Sequence, residues 1–110
     1  MDKVFVYGTL KKGHYNHSII AGNFLGKCHL NDWDMYNLGC YPTIVEGNST
    51  IFGEVYEVTN LEHLDLLEGY PDLYNRKLVN TLYGDCWIYY MNFIEKFMRD
   101  KIKSGIWTYE

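Results

Sequence analysis

The stretch Ile51-Phe52-Gly53-Glu54-Val55-Tyr56-Glu57-Val58-Thr59-Asn60-Leu61-Glu62-His63-Leu64-Asp65-Leu66-Leu67-Glu68-Gly69 changes its period part-way along. Up to Val58 the residues alternate. Phe52, Glu54, Tyr56 and Val58 share one side, and Ile51, Gly53, Val55 and Glu57 share the other, the two-residue repeat of a β-strand. From Thr59 the repeat lengthens. Thr59-Asn60-Leu61-Glu62 fits a capping box, with Thr59 as N-cap and Glu62 at N3. The spacing predicts a helix of roughly two to three turns, ending at Gly69 as the C′ residue with Pro71 just beyond.

Working outward, Lys3 to Tyr7 is a short apolar, β-rich run ended by Gly8 and reads as a largely buried first strand. Residues 11 to 23 read as a loop with one helical turn. Phe24 to Leu30 and Trp33 to Leu38 read as two strands joined around Asn31-Asp32, a turn-forming pair. A break at Gly39 to Pro42 precedes a short strand, Thr43 to Val45, and a turn at Glu46-Gly47-Asn48. Downstream, Arg76 to Tyr83 and Asp85 to Met91 predict a hairpin across Gly84-Asp85. Phe93, Ile94, Phe97, Met98 and Ile102 recur at helical spacing and predict an amphipathic helix over 92–103. Gly105 stops it, and Ile106-Trp107 is apolar enough to dock. Many strands with one short helix between them and one at the end do not make a β-α-β alternation. The expected class is α+β: a curved, mixed, mostly antiparallel sheet or small open barrel with peripheral short helices. At 110 residues it forms one domain spanning residues 1–110.

Composition narrows the functional classes. The net charge is -4, and the basic cluster Lys96, Arg99, Lys101 and Lys103 is interleaved with Glu95 and Asp100, so it reads as a solvated face and no nucleic-acid partner is expected. No apolar run is long enough to cross a bilayer, and Met1-Asp2-Lys3-Val4 lacks the charged-then-apolar pattern of a secretion signal. The odd set Cys28, Cys40 and Cys86, without a C-x-x-C, suits reduced thiols in a cytoplasmic setting rather than a disulfide framework or zinc site. His14 and His17 sit in a polar loop without a third ligand, so no metal is expected. No phosphate-binding glycine motif is present and no cofactor is expected. The 11 tyrosines suit a pocket that is part apolar and part polar, and equally a Tyr-rich sheet.

Glu68 stands out on physical grounds. With Leu61 at zero on a helical wheel, Leu64 falls at about 300° and Leu67 at about 240°, which defines an apolar face. Glu68 falls at about 340°, between Leu64 and Leu61, while Asp65 lies at about 40°, toward the polar side. A carboxyl on the edge of a buried stripe, at the negative end of a helix, should have a raised pKa. That is what a general acid/base working near neutrality needs. Pairing with Arg76, or fraying outward past the helix end, would remove that property.

Two motifs in order carry a resemblance. Val4-Phe5-Val6-Tyr7-Gly8-Thr9-Leu10-Lys11 resembles the opening of the γ-glutamylcyclotransferase-like (AIG2-like) superfamily, where a buried strand runs into Tyr-Gly-(Thr/Ser)-Leu. Leu64-Asp65-x-x-Glu68-Gly69-Tyr70 followed by Tyr74-x-Arg76 resembles its second motif, which carries the catalytic glutamate. Gly53-Glu54-Val55-Tyr56, Gly39-x-Tyr41-Pro42 and Gly105-x-Trp107 also look familial, so the likeness runs along essentially the whole chain. It is closest to the short, γ-glutamylamine cyclotransferase-type members.

The resemblance implies a small-molecule L-γ-glutamyl substrate whose α-amino group attacks its own γ-carbonyl, giving 5-oxoproline and a free amine. It implies Glu68 as the acid/base and Tyr7, Gly8, Thr9 and Leu10 as the glutamyl-binding loop, with Tyr74 and Arg76 beside them. Arg76 could orient Glu68, bind a carboxylate or form a structural ion pair. The same pocket could also serve a non-catalytic binding or sequestering module. The sequence does not specify the amine half of the substrate or the oligomeric state.

Overall fold

The computed structural model describes residues 1–8, 11, 22–39, 41–94 and 100–107. They form five strands and one helix: β1 (Asp2–Val6), β2 (Asn23–Asn37), β3 (Pro42–Val58), α1 (Glu62–Glu68), β4 (Asn75–Thr81) and β5 (Gly84–Tyr90). The strands make one sheet in the order β2-β3-β1-β5-β4. Every pairing is antiparallel except β1 with β5, which run parallel with Val4 opposite Trp87. The expected α+β class and the curved, mostly antiparallel sheet are therefore present.

Alternation along β1 explains why it lies in the middle. Val4 and Val6 point to one face, where they join Tyr56, Val58, Leu61, Leu64, Tyr74 and Tyr89. Phe5 and Tyr7 point to the other, into a cluster with Trp33, Met35, Ile44, Ile51, Val55, Ile88 and Trp107. A short strand buried on both faces can only be interior. The second face is concave. Trp33 of β2 meets Tyr90 of β5 edge-on at 5.5 Å. Lys77 of β4 pairs with Glu46 of β3 at 2.8 Å, with its ammonium 5.2 Å from the centre of the Trp33 ring. The sheet thus curls until its two ends touch.

Several local expectations are corrected. The two strands expected at 24–30 and 33–38 are one strand, because Asp32 takes a left-handed conformation (φ 71°) and forms a bulge rather than a reversal. Opposite it, Thr43–Val45 and Ile51–Val58 are also one strand. The register passes from Asn31↔Thr50 to Trp33↔Glu46, so Gly47, Asn48 and Ser49 are looped out against Asp32 alone. Asp34 makes this possible, since its Oδ1 accepts the amides of Asn48 at 3.3 Å and Ser49 at 3.1 Å. The β4–β5 loop is Leu82-Tyr83, with Thr81 opposite Gly84, two residues earlier than expected. The Thr81 hydroxyl accepts the Tyr83 amide and donates to the Gly84 carbonyl, which closes the turn there.

The capping box does not form. Leu61 occupies the N-cap position of α1, and the side chain of Asn60, not Thr59, accepts the Glu62 amide at 3.0 Å. The C-terminal end is as expected. Gly69 is left-handed (φ 62°), its amide bonds Leu66 and the Tyr70 amide bonds Asp65, the pair of bonds of a Schellman ending. The helix expected over 92–103 is absent at 92–94 and 100–103, and 95–99 lie outside the described residues. Instead Asp100 and Ile102 exchange backbone bonds with Asn37 and Met35 of β2, because the open edge of β2 offers unpaired amides and carbonyls. Trp107 then docks in the concave core, while Ile106 remains exposed.

Gly53 lets β3 approach β1 closely: a Cβ there would collide with the Val6 carbonyl oxygen and lie 2.7 Å from the Phe5 ring. Both neighbours are held in the central strand and cannot yield easily. Gly53→Ala is expected to cost about 1–3 kcal/mol, read as a lowered midpoint in thermal or urea unfolding. A variant that melts with the parent would contradict so tight an approach.

Candidate active site

The end of β1, the start of β3, the end of α1 and the segment leading into β4 converge. β1 delivers Tyr7 to the concave face, where its hydroxyl donates to the Tyr89 carbonyl at 2.7 Å. Gly8 follows. A Cβ at Gly8 would stand 2.8 Å from Cγ of Pro42, so only glycine lets the chain cross the start of β3 this closely. The amide of Lys11 donates back to the Gly8 carbonyl at 3.0 Å. Thr9 and Leu10, expected in the same loop, lie outside the described residues, as do His14, His17 and Cys40. Pro42 also receives the Tyr74 hydroxyl on its carbonyl at 3.1 Å. One residue, Pro42, thereby ties the Gly8 turn to the Tyr74 segment.

Glu68 is the last residue of α1. Leu61 and Leu64 are buried, but Leu67 is 38% exposed, so the buried stripe is narrower than the wheel suggests. In its second turn that stripe continues through Glu68, which is half-buried. Among the described residues no hydrogen bond or ion pair reaches its carboxyl, and no basic residue stands in the last helical turn. Burial raises its pKa from 4.5 to about 7. Tyr7 and Tyr74 stand close enough to feel its charge. Burial pushes both phenols upward first, and the Glu68 charge adds to it. Both phenols are neutral at pH 7 and can donate hydrogen bonds.

Arg76 is placed elsewhere. Its guanidinium lies between the Tyr70 and Trp87 rings, at 4.5 and 4.6 Å from their centres, and its Nε is 3.5 Å from Oδ1 of Asp65. The same Asp65 oxygen accepts the Tyr89 hydroxyl at 2.7 Å. Of the expected site residues, Tyr7, Gly8, Glu68 and Tyr74 come together, and Arg76 is held at the periphery by Asp65. Pro42, Asp65 and Tyr89 were not singled out as site residues from the sequence. Each carried a weaker sequence signal: Pro42 in the Gly39-x-Tyr41-Pro42 likeness, Tyr89 among the tyrosines suited to a part-polar pocket, and Asp65 three residues before Glu68 on the same helix.

Other chemistry finds less support. Among the described residues no group of three His, Cys, Asp or Glu side chains could hold a metal ion. Burial pushes the Cys28 and Cys86 thiols upward, away from nucleophilic character. A cleft of about 370 Å³ lies beside Lys11, Cys28, Gly53, Glu54 and Ile106, and none of Tyr7, Glu68 or Tyr74 lines it. No described helix is long and apolar enough to cross a membrane.

Residues 4–109 match the family described as "Gamma-glutamyl cyclotransferase, AIG2-like". The chain belongs to that family. A Citrobacter rodentium relative named as a γ-glutamylcyclotransferase family protein is 38% identical over 109 residues, covering 96% of this chain and 94% of its own. The solution structure of the ytfP protein of Escherichia coli superposes with a TM-score of 0.76 at 37% identity, covering 96% of this chain and 95% of that one. The crystal structure of an AIG2-like protein from Mus musculus gives a TM-score of 0.84 at 25% identity, over 98% and 88% of the two chains. In this AIG2-like chain Tyr7 and Tyr74 thus stand beside Glu68.

The raised pKa of Glu68 makes a stability statement. Between pH 4.5 and about 7 the folded protein keeps a proton that the unfolded chain has lost, so stability falls as pH rises through that window. Glu68→Gln removes this loss. Urea unfolding at pH 5 and pH 8 should show the variant gaining on the parent by on the order of 2–3 kcal/mol at the higher pH. An equal difference at both pH values would mean that the carboxyl titrates normally.

Proposed function

We propose that the protein is a γ-glutamylcyclotransferase-type enzyme acting on an L-γ-glutamyl-amine. The reading rests above all on one observation: a half-buried Glu68 carboxyl, without a hydrogen bond or ion pair among the described residues and with its pKa raised to about 7, beside the Tyr7-Gly8 turn. Membership of the family supports the reaction class.

In this scheme Glu68 accepts a proton from the substrate's α-amino group as that nitrogen attacks the γ-carbonyl carbon. A carbon–nitrogen bond closes the five-membered ring, and the carbonyl oxygen carries the negative charge of the tetrahedral intermediate. The charge returns, the bond to the leaving amine breaks, and Glu68 passes its proton to that amine. The products are 5-oxoproline and a free amine. No protein nucleophile takes part, so the enzyme's task is to fold the glutamyl chain and move protons.

The turn that begins at Tyr7 and Gly8 and includes Thr9 and Leu10 is assigned to the glutamyl group, since glycine permits close backbone approach and turn amides bind anionic oxygens. Tyr74, anchored on Pro42, lines the same place. Arg76 is assigned to the periphery of the site. The free thiols of Cys28 and Cys86 suit a cytoplasmic setting.

Incubation with a panel of γ-glutamyl-amines, γ-glutamyl-ε-lysine among them, should release 5-oxoproline detectable by mass spectrometry. The rate should rise through pH ~7 as Glu68 ionises, and Glu68→Gln should lower it by at least about 100-fold while the fold is retained. A panel that binds without turning over would replace the enzyme with a binding module. Undiminished activity of Glu68→Gln would remove Glu68 from the chemistry.

A further inference from the structure

Arg76 is the cation that pairs with Asp65, the acid three residues before Glu68 on α1. Asp65 and Glu68 are three apart on α1, so their side chains project as neighbours, about 5–6 Å apart at Cβ. A guanidinium in contact with Asp65 is therefore within a side-chain rotation of Glu68. It does not make that contact. The Tyr70 and Trp87 rings clamp it, Asp65 pairs with it at 3.5 Å, and Tyr89 fixes Asp65 from the opposite side at 2.7 Å. Asp65 and Arg76 are each roughly a fifth exposed, sheltered enough for the pair to resist screening by salt.

We infer that Asp65 is a positioning residue for the reaction proposed above: it holds the Arg76 guanidinium away from Glu68 and so keeps the Glu68 carboxyl free of a cationic partner. The inference rests on that reading of Glu68 as the acid/base, and deepens it. An acid/base must exchange its proton near neutrality. A carboxylate paired with a guanidinium would hold its charge to much lower pH and would be a poor proton acceptor.

The other groups facing Glu68 agree with this division. Tyr7 comes from β1, Tyr74 from the segment before β4 and Tyr89 from β5. All three are phenols whose pKa burial raises first and the Glu68 charge raises further. None offers Glu68 a positive charge. The acid that α1 sets three residues before Glu68 is Asp65, and its charge is matched by Arg76 of β4. Burial works against the Arg76 charge, and Tyr70, then Asp65 and Tyr89, more than restore it, while Glu68 is shifted by burial alone.

The test reads the carboxyl directly as well as through activity. Side-chain carboxyl carbons of glutamate are labelled with carbon-13, the Glu68 signal is assigned by its loss in Glu68→Gln, and its titration midpoint is followed by NMR in the full chain. Asp65→Asn removes the anion that draws Arg76 away from Glu68, leaving only the two rings to hold it, and should lower the midpoint by one pH unit or more. Arg76→Met leaves the Asp65 charge unpaired and should raise it. The double variant Asp65→Asn, Arg76→Met should return it close to the parent value. The acid limb of the pH–rate profile for 5-oxoproline release should move with each midpoint.

A fall in Asp65→Asn that exceeds the rise in Arg76→Met and disappears in the double variant supports the inference, because loss of charge alone would shift the two single variants by similar, opposite amounts; a fall no larger than the rise overturns it. A midpoint that is unmoved, or that moves the same way in both, overturns it. Should Asp65→Asn not fold, the upward shift in Arg76→Met still decides: its absence counts against the inference. If the parent shows no turnover while the midpoints shift as expected, the positioning of Arg76 stands and the enzymatic reading fails.

Discussion

Burial of β1 on both faces is the constraint on which the rest of the molecule depends. Five residues supply a central strand that pairs with β3 on one side and β5 on the other. Its even-numbered side chains seat α1, and its odd-numbered ones fill the concave core. A strand so enclosed has no freedom of register, because a slip of one residue would exchange the two faces. The turn at Tyr7-Gly8 therefore emerges at a defined place beside Pro42, and α1 is pressed onto the same end of the sheet.

The site is assembled from four separate pieces of chain by ordinary packing forces. Tyr7 is tied to Tyr89, Gly8 is packed against Pro42, and Tyr74 is bonded to that same proline. Each contact uses a backbone carbonyl or the absence of a side chain, so none of them engages the Glu68 carboxyl. Opposite charges within reach of one another normally pair, and the arrangement around Asp65 directs that tendency to a residue one turn away from Glu68. Glu68 is thereby held where it is poorly solvated, a cost of stability accepted at the place where chemistry is proposed.

Much of this was legible in the sequence. The change of period at Thr59, the stop at Gly69, the buried first strand and the placement of a carboxyl on an apolar edge all follow from local side-chain spacing. The misread places have a common physical origin. Asn31-Asp32 and Glu46-Gly47-Asn48 have the composition of turns, yet they become facing bulges because Asp34 satisfies the loose amides from across the strand pair. Thr59 has the composition of an N-cap, yet Asn60 reaches the amide. At 100–103 a helical spacing yields to the free edge of β2. In each case a partner distant in sequence, or a competing neighbour, satisfied backbone groups that the local pattern assigned elsewhere.

By itself, the sequence determined the class of fold, the family motifs and the candidacy of Glu68, because two-residue and 3.6-residue periodicity, glycine placement and helical angles are local properties. Only the tertiary structure decided which acid Arg76 would pair with. Asp65 and Glu68 are equally plausible partners three residues apart. The choice depends on the Tyr70 and Trp87 rings that fix the guanidinium, and on the Tyr89 hydroxyl that fixes Asp65. Those groups come from two segments, the turn after α1 and strand β5, and no local pattern could bring them together.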